Sequence, residues 1–210
     1  MWVIARDPVQ AIPLKLKNKR TRRMYEQGVC ALYNVQCGQK HAIFACIYGE
    51  TGGAENASAA QRTDDIIDAV REELKEHKDS PQCILGDFNA GLEDIPTLVE
   101  LVEQEGWVDC GARADIWGGQ NNQTTCKAPN ANRETRRDYV IAGPEFARLI
   151  KSIRVEKENE VYPNHWPIVV EFQTDKIATD KKIYRKTTSA AQRLEPVSYT
   201  HLTLPTNREV

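Results

Sequence analysis

The sequence predicts one mixed α/β domain, a sandwich in which strands and helices alternate without a strict βαβ repeat. Three observations predict it. Across residues 57–77, Ile66, Ile67, Val70 and Leu74 recur at helical spacing while charged residues cover the other face. Several short β-rich runs are each bounded by Gly, Pro, Asn or Asp. A chain of 210 residues with 40% hydrophobic content is also enough for one core, and not for several.

The elements follow in order. Residues 1–5 (Met-Trp-Val-Ile-Ala) read as a strand with no lead-in, so the fold is expected to begin before Met1. Runs 29–35 and 42–48 are β-rich, and Cys37-Gly38-Gln39-Lys40 between them suggests a hairpin. A loop at 49–53 leads to the helix of 57–77. Residues 82–85 form a short buried strand stopped by Gly86, and a second helix spans 95–104 with Leu98, Leu101 and Val102 inward, ended by Gly106. The stretch 111–132 is rich in Gly, Asn and Thr and reads as a long surface loop of the kind that carries binding residues. Strands at 138–141, 152–155 and 167–172 close a domain of residues 1–174. Residues 175–195 read as a basic tail. Residues 196–210 resemble a translated sequencing-adapter read-through, which removes His201 from the site candidates.

Composition excludes more than it selects. A net charge of −2 argues against holding nucleic acid by bulk positive charge. Lys15, Lys17, Lys19, Arg20, Arg22 and Arg23 do collect six charges, and a solvated loop is the preferred reading over a phosphate-contacting patch. The six cysteines (Cys30, Cys37, Cys46, Cys83, Cys110, Cys126) show no Cys-x-x-Cys spacing and read as reduced thiols. No apolar run reaches membrane-spanning length and no signal peptide is evident, so a soluble intracellular protein is expected.

The chemistry-bearing residues sit at strand ends. Gly86-Asp87-Phe88-Asn89-Ala90 follows the buried run 82–85, and period-two geometry sends Asp87 and Asn89 to one side and Phe88 to the other. A carboxylate there can orient water or bind a hard cation, and an amide can donate to a phosphoryl oxygen. An Asx turn at a strand end is the plainer alternative. Asp138 opens one strand and His165 precedes another. If the strand at 152–155 returns between those two, Asp138 and His165 share a rim, and Asp87 joins them from an oppositely directed strand. Asp138 is then placed to hold the imidazole in one tautomer.

Taken together, Ile47-Tyr48, Gly86-Asp87-Phe88-Asn89, Arg136-Arg137-Asp138-Tyr139-Val140 and Asn164-His165-Trp166-Pro167, in that order, resemble the endonuclease/exonuclease/phosphatase superfamily over roughly residues 1–174. That group includes apurinic/apyrimidinic endonucleases, pancreatic-type deoxyribonucleases and retrotransposon endonucleases. The resemblance implies a two-layer β-sandwich flanked by helices (four layers, α/β/β/α), incomplete at the N-terminus. It implies metal-dependent phosphodiester hydrolysis with Mg²⁺ or Mn²⁺ held by oxygen ligands, Asp87 and Asn164 among them. By the same likeness Asp87 aligns the attacking water, Asn89 helps hold the phosphate, Tyr48 approaches it, and His165, oriented by Asp138, stabilises the pentavalent phosphoryl state. Nucleic acid is the implied partner, DNA more than RNA, with Trp117 and Trp166 as contacts in loops. The family's metal-binding Glu and an accompanying Asn fall before Met1, Asn164 replaces a carboxylate, and Arg137 replaces an Ile. Weakened metal binding and a weak or inactive fragment are therefore expected. The alternatives are a non-catalytic binding module or truncated relic, and a phosphoinositide or sphingomyelin-type substrate on the same scaffold.

Overall fold

The computed structural model describes residues 5, 9–37, 40–128, 131–157 and 164–175. The readings of residues 1–5 as a strand, of the Gly38-Gln39 turn, and of the tail and adapter-like segment fall mainly or wholly outside these residues. Among them, no helix is long and apolar enough to cross a membrane.

The large sheet is built from β1 (Val9–Pro13), β2 (Cys30–Cys37), β3 (Lys40–Tyr48), β4 (Gln82–Asp87), β5 (Val108–Asp109) and β6 (Asp138–Ala142), in the order β1-β2-β3-β4-β6-β5. β2 and β3 are antiparallel, as the hairpin reading expects, β3 and β4 are parallel, and β4 and β6 are antiparallel. The parallel step needs a crossover, and α2 (Ala57–Lys75) makes it. Asn56 caps that helix, its side chain accepting from Ser58 N and Ala59 N. From α2, Ile66, Ile67, Val70 and Leu74 pack with Leu98 and Leu101 of α3 (Pro96–Gln104) against Leu32, Ile43, Ala45, Ile84 and Ile141 of the sheet.

The opposite face of that sheet meets a second one. β7 (Ile150–Val155) and β8 (Ile168–Phe172) pair antiparallel with each other. Ile150, Ile153, Ile168, Val170 and Phe172 pack against Ala42, Phe44, Cys83, Leu85, Val140 and Ala142. Phe146, from α4 (Pro144–Ala147), packs edge-on against Phe44 and tilted against Phe172, with ring centroids 5.2 Å and 5.1 Å away. The expected α/β sandwich is thus built from helices, a mixed sheet and a second sheet. The outer side of β7–β8 presents exposed Lys151, Arg154 and Glu171, so the described residues form three of the four layers.

Three local expectations change. The strand at 152–155 does not return beside the strand beginning at Asp138. It leaves for the second sheet, because Ile150 and Ile153 find their apolar partners across the sandwich. The basic cluster is not a loop throughout, since Lys19–Glu26 forms α1. The amides of Lys17 and Asn18 donate to buried Glu73 at 2.8 and 2.7 Å, Thr21 Oγ1 donates to Ala69 O at 2.6 Å, and Arg20 pairs with Asp65 and Asp68 of α2. Gly86 does not stop β4 but lies within it at φ 143°, where a Cβ would run into the Ile47 carbonyl of the neighbouring strand.

Candidate metal and hydrolytic site

The antiparallel register of β4 and β6 sets Asp87 directly opposite Asp138. Along both strands alternate residues (Leu85 and Val140) face the second sheet, so the two carboxylates open toward the same gap between layers. His165 arrives from the segment before β8, and its Nδ1 lies 2.9 Å from Asp138 Oδ2. Asp87, Asp138 and His165 each place a ligand atom within 4.8 Å of the others. The three come together although the intervening strand takes another path, because the two sheets share a rim.

Two residues not singled out by the sequence reading fix this rim. Thr125 is 1% exposed, and its hydroxyl accepts from the backbone N–H groups of both Arg137 and Asp138, at 3.1 and 3.0 Å. Its carbonyl accepts from Trp166 N at 2.8 Å. Cys126 forms a backbone bridge with His165, and its Sγ lies 3.5 Å from Nε2 of that ring. The imidazole is therefore held between a carboxylate at one nitrogen and a thiol at the other. A threonine and a cysteine inside a Gly/Asn-rich loop carry no periodic signal that would have marked them.

Asn89 departs from the alternation expected of it. It adopts a left-handed φ of 52°, its backbone N–H donates to Asp87 Oδ1 at 3.0 Å, and its Nδ2 donates to Gly49 O at 2.9 Å. The amide thereby ties the end of β4 to the end of β3. Phe88 points away as expected, fully buried and stacked on Tyr139 with centroids 5.2 Å apart. Tyr48 pairs in register with Asp87 and is 52% exposed at the rim. Asn164 is exposed, and its carbonyl accepts from Lys127 N at 2.9 Å.

The electrostatics are uneven. Burial pushes the Asp87 carboxyl above its ordinary range, the Asn89 amide pulls it back, Asp138 pushes it further, and His165 and Arg137 oppose that. The Cys126 thiol is pushed up by burial and then by Asp138 and Asp87. Elsewhere burial alone pushes Cys30 up to about 12, and it is the main reason that Cys46 rises to about 11 and Cys110 to about 12. These are inert core thiols. A cavity of about 350 Å³ adjoins Asp138 and His165, walled by Leu85, Val140, Trp166 and Ile168. Two facing carboxylates and an imidazole suit a hard divalent cation, whose charge would relieve the repulsion acting on Asp87.

The helix-covered mixed sheet packed on a second sheet is a fold that this chain shares with solved members of the endonuclease/exonuclease/phosphatase superfamily. Among solved structures it is similar to the 3' phosphatase NExo from Neisseria bound to a product DNA hairpin, at 16% identity over 78% of this chain and 72% of that one, with a TM-score of 0.56. It is similar to the endonuclease domain of TRAS1, a telomere-specific non-LTR retrotransposon, at 12% identity over 81% and 72%, with a TM-score of 0.57. The catalytic domain of Xenopus laevis APE2 is 15% identical over 74% of this chain, which spans 59% of that chain's length, with a TM-score of 0.52. No protein-family model and no curated protein sequence matches the chain.

Proposed function

We propose that the chain carries a phosphodiester-hydrolysing site that works with Mg²⁺ or Mn²⁺ on nucleic acid, DNA more than RNA, and that it holds its metal weakly. One observation carries the reading: the Asp138–His165 pair at 2.9 Å, with Asp87 facing Asp138 across the sheet. Asp87 and Asn164 are the oxygen donors assigned to the cation, which when bound supplies Lewis-acid polarisation of the phosphoryl group.

The other roles follow from the chain's own groups. Asp87 orients the attacking water, and its raised affinity for a proton brings it closer to the range in which a carboxylate works as a general base. Asp138 accepts from Nδ1–H of His165, fixing the ring so that its other nitrogen faces away from Asp138. Charge building on the phosphoryl oxygens is met by that imidazole when Nε2 also carries a proton, and by Tyr48 at the rim. Asn89 acts through the Gly49 carbonyl to keep the ends of β3 and β4 together. Beside the cavity, Lys157 lies 4.8 Å from the Trp166 ring centroid, giving a cation and an aromatic face for backbone and base.

The preference for DNA draws on two neighbours by name: NExo bound to a product DNA hairpin, and the endonuclease domain of TRAS1, a telomere-specific non-LTR retrotransposon. A non-catalytic module is the second reading, favoured by the neutral amide of Asn164, which leaves Asp87 and Asp138 as the only carboxylates of the cluster among the described residues. Incubating the full chain with supercoiled plasmid and with an abasic oligonucleotide in Mg²⁺ or Mn²⁺ separates the two. Slow, metal-dependent cleavage absent from Asp87→Ala and His165→Ala is the expected result. Intact DNA at saturating metal for every variant would leave the non-catalytic reading in its place.

A further inference from the structure

We propose that Cys126 and His165 form a binding site for a thiophilic divalent cation of the zinc class, overlapping the rim where the oxygen-ligated metal is placed. The antiparallel bridge puts the two residues face to face, and Sγ and Nε2 stand 3.5 Å apart. Zinc binds cysteine sulfur at about 2.3 Å and imidazole nitrogen at about 2.0–2.1 Å, and a tetrahedral angle between such bonds separates the ligand atoms by about 3.5 Å. The two side chains are thus already spaced as a zinc pair.

The imidazole is also prepared for it. With Nδ1 donating to Asp138, Nε2 carries the lone pair, which is the carboxylate–histidine–metal arrangement found around bound zinc. Asp87 stands beside the pair, with a ligand atom within 4.8 Å of one on His165. The side chain of His165 is 41% exposed, so the remaining positions open to water and give the ion a way in. On coordination the thiol proton leaves to solvent, and a dication then faces thiolate and carboxylate. Three other described thiols lack this setting: the contacts of Cys30, Cys83 and Cys110 are to the backbone carbonyls of Thr21, Ile84 and Val108. Oxygen-preferring Mg²⁺ gains little from sulfur, so the site discriminates by ligand softness.

Resting on the hydrolytic reading is one corollary, that zinc occupying Nε2 slows Mg²⁺-supported cleavage. The binding itself is tested without turnover, by titrating the full chain with Co²⁺ as a spectroscopic stand-in. A near-ultraviolet thiolate-to-cobalt charge-transfer band is expected, displaced by Zn²⁺, unaffected by Mg²⁺, and missing from Cys126→Ser. Zinc affinity should fall by about tenfold or more in that variant, since even outer-shell changes cost this much. An equally strong band in Cys126→Ser, or none in the parent chain at saturating Co²⁺, overturns the proposal. If Cys126→Ser does not fold, alkylation of the parent protein by iodoacetamide decides: zinc protects Cys126, read by peptide mass, or the proposal falls. A band without any cleavage sinks the hydrolytic reading alone, and cleavage without a band sinks only this one.

Discussion

Two aspartates lie on the strands that flank β6, and they are treated in opposite ways. Asp109, on β5, is 6% exposed and fully engaged: Arg136 grips both its oxygens, the amides of Gly111 and Ala112 donate to it, and the guanidinium lies 4.5 Å from the Tyr139 ring centroid. Asp87, on β4, receives one backbone amide, faces another carboxylate, and is in no ion pair with a described lysine or arginine. A charge buried for structure is neutralised where it stands. One left beside a like charge is held ready for something that arrives later.

The largest effect that separates the two is on turnover. Asp87→Ala should lower metal-dependent cleavage by about 10²–10⁴-fold, the usual reach of a positioned acid or base, while the protein still unfolds cooperatively. Equal rates for variant and parent would show that Asp87 is an ordinary turn residue. Arg136→Ala should do the reverse. Leaving buried Asp109 without its cation, with only the Gly111 and Ala112 amides to meet the charge, costs about 3–5 kcal/mol, read from equilibrium urea denaturation. A loss within the range of exposed pairs, about 1 kcal/mol or less, would erase the contrast.

A smaller effect has a definite sign. Because folding raises the Asp87 pKa, its contribution to stability is fully present below the unfolded carboxylate value of about 3.9 and is lost as pH rises through the folded value. Asp87→Asn should therefore melt higher than the parent at neutral pH in chelator, with the two curves converging in acid. A variant that melts lower at neutral pH would place a stabilising cation-like partner beside Asp87. The smallest effect belongs to the exposed pairs of α1. Arg20→Ala should cost about 0–1 kcal/mol, since its side chain is 42% exposed.

How far the chain could be read in advance follows from what each element depends on. The helix at Ala57–Lys75 was plain because its buried residues repeat at 3.6, and the strands ending in Asp87 and beginning at Asp138 were plain because apolar runs meet polar punctuation there. Helix α1 was hidden: its one fully buried residue is Thr21, and it is fixed by Glu73 and Ala69, about fifty positions away. Edge strand β1 shows no buried residue, and β5 is two residues long, too short for any period. The candidate cluster was legible in Asp87, Asp138 and His165, while Thr125 and Cys126 were not, since a bridge between distant segments gives their side chains a direction. The alternation that placed Asn89 failed at its left-handed turn, where local hydrogen bonding to Gly49 and Asp87 outweighs strand geometry.

The close approach of β3 and β4 at the rim has a consequence for how this scaffold can diversify. At both Gly49 and Gly86 a methyl group would strike main-chain atoms of the neighbouring segment, Phe88 just past β4 in one case and Ile47 of β3 in the other. That bank of the opening is built from backbone, which no substitution can whittle back. Selection for new targets would have to work on the opposite bank, around Trp166 and its neighbours, and a randomised library should return its winners there while both glycines come back unchanged.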